Sequence, residues 1–178
     1  MNIKVYKTKI DSVLIFQPEK FLDHRGYLIE SYNESLYEKH LPSINFVQEN
    51  ESQSSFGVLR GLHYQDGPYA QAKLVRVIKG EVQDVAIDIR IDSPTYLQYV
   101  SVILNDENKK QLYIPRGFAH GFLVLSKEAI VSYKIDNFFN FEYYRGIKYD
   151  DPQINVNWKL DSEKIILSQK DSQLDYVS

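Results

Sequence analysis

The chain reads as an all-β protein, a sandwich or barrel with a few short peripheral helices, on three observations. Runs of β-branched and aromatic residues recur along its 178 residues, several alternate polar with apolar positions, and turn residues separate them. With 43% hydrophobic and 13% aromatic residues the chain is long enough for one well-packed core, so residues 1–178 are expected to form a single domain.

Taken in order, Val13–Gln17 and Tyr27–Tyr32 are the first strand candidates. The best helix is Asn33 to His40 (NESLYEKH), with Asn33 as its N-cap and Pro42 beyond its end. Gly57 to Gln65 (GVLRGLHYQ) has the texture of a strand, although it carries Arg60 and His63. Lys73–Ile78 (KLVRVI) alternates charged with apolar residues, and Val82–Ile89 (VQDVAIDI) resumes the pattern after the Lys79-Gly80-Glu81 break. These two are expected to pair as a hairpin. Tyr96–Leu104, Gln111–Ile114, Gly121–Leu125 and Ala129–Ile135 complete the set, with loops at Asp92-Ser93-Pro94, Asn105-Asp106-Glu107-Asn108 and Pro115-Arg116-Gly117. No solenoid repeat, low-complexity tract or linker interrupts them.

Charge and composition exclude several function classes. The 21 basic and 24 acidic residues nearly balance and form no block, which leaves no electrostatic footprint for nucleic acid or a membrane surface. The N-terminal MNIKVYKTKIDSVLIF lacks the apolar core of a signal peptide, and no later stretch approaches a membrane span, so a cytoplasmic protein is expected. The absence of cysteine removes disulfides and thiolate chemistry.

What remains is the polar residues inside strands, where an unpaired buried group costs about 1–3 kcal/mol. On a regular pleat Leu59, Gly61 and His63 share one face and Arg60, Leu62 and Tyr64 the other, so Arg60 and His63 meet only if Gly61 marks a bulge or a close backbone approach. In Ala129–Ile135 an inward set of Ala129, Val131, Tyr133 and Ile135 places a phenol among apolar residues. A buried hydroxyl needs a partner. His120, in IPRGFAHGF, is close to flanking glycines that let the backbone approach a ligand; a histidine satisfied by backbone is the alternative.

A metal site fails its sequence test. The histidines are at 24, 40, 63 and 120, position 65 is Gln, and neither His-x-His nor His-Glu-x-x-His occurs, so no protein-bound catalytic metal is expected. No serine lies in a Gly-x-Ser-x-Gly elbow and no Gly-rich phosphate loop is present. Acid–base chemistry by His, Tyr, Asp and Lys is left.

Ordered blocks along nearly the whole chain resemble the dTDP-4-dehydrorhamnose 3,5-epimerase family of sugar-nucleotide epimerases. They are Phe21-Leu22-Asp23-His24-Arg25-Gly26 with Glu30, Gln48-Glu49-Asn50, Val58 to Gln65, Ala70 to Val75, Gly80 to Arg90, Gly117 to Phe122, Tyr133-Lys134, Arg145-Gly146-Ile147, Asp150-Asp151-Pro152 and Leu167 to Asp171. The resemblance implies a cupin-like double-stranded β-helix, or jelly roll, that needs no cofactor, neither metal nor nicotinamide. It also implies a homodimer with site residues shared across subunits, and a dTDP-4-keto-6-deoxyhexose as substrate.

By the same resemblance, His63 is the general base that takes a proton beside the C4 ketone, Asp171 hydrogen-bonds it, and Tyr133 donates a proton from the opposite face of the sugar. Lys73 and His120 match residues at the ring and its keto oxygen, and Arg60 grips the substrate. Arg25 and Lys170 match contacts to the diphosphate and sugar; Glu30, Gln48 and Asn50 lie around the nucleotide, some from the partner subunit; Phe138 stands where an aromatic stacks on the base. Three positions depart from the pattern. Tyr144 replaces the glutamate of Glu-Arg-Gly, a contact at the nucleotide end, Asp136 replaces a usual Thr, and Gly67 a common Pro. A relative that epimerises only C3 or C5, and a non-catalytic sugar-nucleotide-binding cupin, are the competing readings.

Overall fold

In the computed structural model, which describes residues 2–177, the strands are β1 (Ile3–Lys7), β2 (Leu14–Pro18), β3 (Lys20–Asp23), β4 (Gly26–Ile29), β5 (Gln48–Ser55), β6 (Leu59–Gln65) and β7 (Lys73–Lys79). They continue as β8 (Glu81–Asp88), β9 (Tyr99–Asn105), β10 (Gln111–Ile114), β11 (Phe118–Val124), β12 (Glu128–Ile135) and β13 (Tyr144–Gly146). One-turn helices α1 (Glu34–Tyr37) and α2 (Gln169–Ser172) lie at the periphery. Two antiparallel sheets face each other, one in the order β1-β2-β10-β7-β12-β5 and the other β13-β6-β11-β8-β9. This is the expected jelly roll.

The layers follow from alternation. Val75 and Val77 of β7, Leu112 and Ile114 of β10, and Ala129 and Val131 of β12 turn inward from one sheet. Val82 and Ala86 of β8, Val100 and Leu104 of β9, and Phe118, Phe122 and Val124 of β11 meet them from the other. Each of the Val, Leu, Ile and Phe side chains among them stabilises the fold by roughly 1.5–3 kcal/mol when fully buried. The outer face of the first sheet is covered by the α1 segment, where Tyr37 stacks on Phe16 at 4.8 Å. The outer face of the second is covered by the C-terminal segment through Ile147, Ile154 and Trp158.

The expected hairpin between Lys73–Ile78 and Val82–Ile89 does not form. β7 pairs with β10 and β12, whereas β8 pairs with β9 and β11. The chain crosses between sheets at Gly80, so the apolar faces of β7 and β8 meet across the core instead of lying side by side. The helix is also shorter than Asn33 to His40: Asn33 occupies the N-cap position without a side-chain cap bond, its amide donating to Glu30 at 3.1 Å instead. β5 (QENESQSS) has no strand candidate in the sequence because it contains no apolar residue to alternate; it is the sheet-edge strand whose polar side chains line the cavity described next. β1, β3 and β13 are likewise new, and no helix among the described residues is long and apolar enough to cross a membrane.

Candidate active site

A cavity of about 850 Å³ opens between the sheets beyond the apolar core. One wall is Gln48 and Asn50 of β5, Lys73 of β7 and Tyr133 of β12; the other is Arg60 and His63 of β6 and His120 of β11, with Lys170 and Asp171 of α2 closing the side. Nine of the sequence-predicted residues thus converge.

Arg60 and His63 reach the same cavity because β6 is bulged. Arg60 pairs with Phe122 and His63 with His120, so three steps on β6 oppose two on β11. One extra residue reverses the alternation and brings both side chains to one face. Glycine is required at the bulge. Gly61 has φ +129, and a Cβ there would lie 2.5 Å from the Cα of Gly121.

His63 Nε2 lies 2.6 Å from Asp171 Oδ1 across 108 residues of chain. Burial pushes the Asp171 carboxyl up, but hydrogen bonds from His63, Ser168 and the Gly61 backbone outweigh it and hold the group below its usual range. An ionised carboxylate can only accept, so Nε2 carries a proton, and in the neutral imidazole Nδ1 keeps the lone pair. That tautomer is the one a base needs. α2 aims the carboxylate: Ser168 caps it by accepting from the Asp171 N–H at 3.0 Å.

A second pair lies deeper. His120 Nε2 is 3.1 and 3.0 Å from the two oxygens of Asp84, which is fully buried. Burial lowers the His120 pKa against the opposing pull of Asp84. Burial also lowers Lys73 to about 8, again opposed by Asp84, and its Nζ donates to the His63 carbonyl at 3.3 Å. Asp84 was missed in the sequence, although it shares strand parity with the core residues Val82 and Ala86, and an inward carboxylate is a signal of its own.

Tyr133, on the wall opposite His63, sits inward beside Ala129, Val131 and Ile135 as expected. Burial raises its pKa, while a hydrogen bond with Asn50, its cross-strand partner, and the Arg60 charge lower it. Arg60 is itself steered by Nε donating to Ser54 at 2.9 Å. Among the described residues no three His, Cys, Asp or Glu side chains converge to hold a metal ion.

Three predicted residues stand outside the cavity lining. Arg25 is on the β3–β4 hairpin, bound to Asp23 at 2.6 Å, and Glu30 follows that hairpin. Phe138 is 63% exposed on the loop after β12, where Phe139 is the phenylalanine that lines the cavity. Tyr144 lines the same cavity, with its ring centroid 5.1 Å from that of His63. Asp136 is absorbed by the scaffold, accepting from the Ala72 N–H at 2.7 Å and from Arg116 at 2.9 Å.

Comparison with known proteins agrees with this fold. The family model described as dTDP-4-dehydrorhamnose 3,5-epimerase matches residues 7–178. A dTDP-4-dehydrorhamnose 3,5-epimerase of Shigella flexneri is 51% identical over 98% of this chain and 99% of its own length. The enzyme of that name from Methanothermobacter thermautotrophicus is 48% identical over 96% of this chain and 92% of its own. Among solved structures, a dTDP-6-deoxy-D-glucose-3,5-epimerase from Legionella pneumophila in complex with dTDP-4-keto-L-rhamnose superimposes with a TM-score of 0.95 at 45% identity, covering 98% of this chain and 93% of that one.

Proposed function

The chain belongs to the dTDP-4-dehydrorhamnose 3,5-epimerase family, and we propose that it converts dTDP-4-keto-6-deoxy-D-glucose to dTDP-4-keto-L-rhamnose by epimerising C3 and C5, with His63 as base and Tyr133 as acid. One observation carries this assignment of roles: an imidazole and a phenol face one cavity from opposite sheets. Inversion at carbon needs a proton removed from one side and returned from the other.

The C–H bonds at C3 and C5 flank the C4 ketone. Nδ1 of His63 takes the proton, the C–H electron pair moves into an enolate, and Asp171 stabilises the imidazolium. The enolate oxygen collects the developing charge. Lys73, still an ammonium near neutrality with its pKa at about 8, is the cation for that oxygen, in a low-dielectric site that strengthens it. Tyr133 then protonates the carbon from the other face, and both groups re-equilibrate with water before the second carbon reacts. Each positioned acid or base contributes roughly 10²–10⁴-fold. Arg60 and Lys170 supply cations for the diphosphate and sugar.

The active assembly in this reading is a homodimer acting in the cytoplasm. The β3–β4 hairpin exposes Phe21, Leu22, Tyr27 and Leu28 together with Arg25, an apolar arm that a second copy of the chain would cover. Arg25 and Glu30 then serve the partner's cavity. Sedimentation velocity should give a dimer, and R25A should raise KM while leaving the dimer intact.

The direct test is proton NMR of dTDP-4-keto-6-deoxyglucose with the protein in D₂O, alongside His63→Ala. Deuterium should enter at C3 and C5 with the native chain and at neither with the variant. Entry at one carbon would make the protein a single-site epimerase; no entry with folded protein would overturn the assignment.

A further inference from the structure

The cavity holds one aromatic that the mechanism above does not use. Tyr144, on the edge strand β13, touches the base and a binding cation at once: its ring centroid lies 5.1 Å from the His63 imidazole at an interplanar angle of 47°, and the Lys170 ammonium sits 3.5 Å from the same centroid. Phe139 packs edge-on against it at 5.9 Å. Lys170 has no carboxylate partner within ion-pair distance among the described residues, so the ring faces of Tyr144 and, at 5.3 Å, Phe141 are its aromatic seats.

We propose that Tyr144 is a positioning residue whose ring holds His63 against Asp171 and seats Lys170 toward the diphosphate, so that gripping the nucleotide end and orienting the base are coupled through one side chain. The inference rests on the epimerase reading above and adds a residue to it. Two physical points support it. A tilted aromatic contact restricts rotation of the imidazole about an axis that its single hydrogen bond to Asp171 leaves free. And a cation seated on a π face is held without being neutralised, whereas a carboxylate in the same place would cancel the charge that meets the diphosphate. Burial, followed by the Asp171 charge and Tyr133, keeps the Tyr144 phenol well above its usual range, so the ring stays neutral beside the dyad.

The test compares Tyr144→Phe, which keeps the ring, with Tyr144→Leu, which removes it, in steady-state kinetics on dTDP-4-keto-6-deoxyglucose. The Phe variant should keep kcat and KM within about 2-fold, since ring packing and cation–π contact need no hydroxyl. The Leu variant should raise KM about 5-fold through Lys170 and lower kcat about 10-fold through His63, because small displacements of a catalytic group are costly. The double variant Tyr144→Leu, Lys170→Met should show the KM cost of one contact, not two. Native KM and kcat in Tyr144→Leu, a Phe variant as impaired as Leu, or additive KM effects would each overturn the proposal. Should the Leu variant fail to fold, the same cycle run with Tyr144→Met decides it. Absence of deuterium exchange in the native protein would instead remove the epimerase reading, an outcome distinguishable from all of these.

Discussion

His63 and His120 each face an aspartate from neighbouring positions of the β6–β11 ladder, yet the two pairs are built differently. The His63 side chain is 25% exposed and its carboxylate comes from a helix 108 residues away. His120 is 8% exposed, and Asp84 lies fully buried on the adjacent strand β8. The open pair can exchange protons with solvent and, in the proposed reaction, with substrate. The closed pair sits beside Lys73 and tunes a buried positive charge. Equal residue types thus serve separate tasks because burial, not identity, sets what a histidine–carboxylate pair can do.

Breaking the open pair should have the largest effect. His63→Ala is expected to lower kcat/KM by at least about 10³-fold, and Asp171→Asn by about 10²-fold, since the amide no longer fixes the tautomer or stabilises the imidazolium. Product NMR checks both. Equal losses from His120→Ala would collapse the distinction between the pairs.

Gly61→Ala tests the bulge that turns His63 toward the cavity. A methyl at φ +129 and 2.5 Å from Gly121 should destabilise the fold by on the order of 2–3 kcal/mol, measurable by urea unfolding, and reduce activity with it. Native stability in this variant would mean that the strand has another way to pack.

Lys73 sharpens the closed end. Its folded pKa of about 8 lies below the ordinary 10.5, so the unfolded chain binds more protons between those values and native stability rises with pH across that window. Below about pH 8 the buried ammonium costs on the order of 3 kcal/mol. Lys73→Met should therefore unfold at higher urea than the native chain at pH 7, with the advantage shrinking toward pH 10, while its activity falls by less than in His63→Ala. The native enzyme should in turn lose activity as pH rises through about 8, where the ammonium is lost. The smallest effect is expected from Asp84→Asn, which removes the charge that supports Lys73: the alkaline limb should move to lower pH by about one unit, with kcat at its optimum falling less than in Asp171→Asn.

Much of the site was legible because its chemistry is local in type. An arginine and a histidine inside a strand, and a phenol alternating with Ala129, Val131 and Ile135, declare themselves against an apolar background. Gly61 between Arg60 and His63 named the one device that could bring them together. Asp84 has the inward parity of Val82 and Ala86, but its contact with His120 is made between strands and is not written in either segment. Phe139 lines the cavity while the adjacent Phe138 is exposed, a difference that nothing local to the loop sequence reveals.

By itself the sequence determined that the chain is all-β, which side of β12 turns inward, and which side chains are able to move a proton. These follow from alternation and residue chemistry, which act over a few positions. Only the tertiary structure decided that β7 and β8 part at Gly80 into different sheets, that three steps of β6 oppose two of β11, and that Asp171 reaches His63. Backbone ladders bond any strand to any other, so partner and register are chosen by how the apolar faces close on one another across the whole chain.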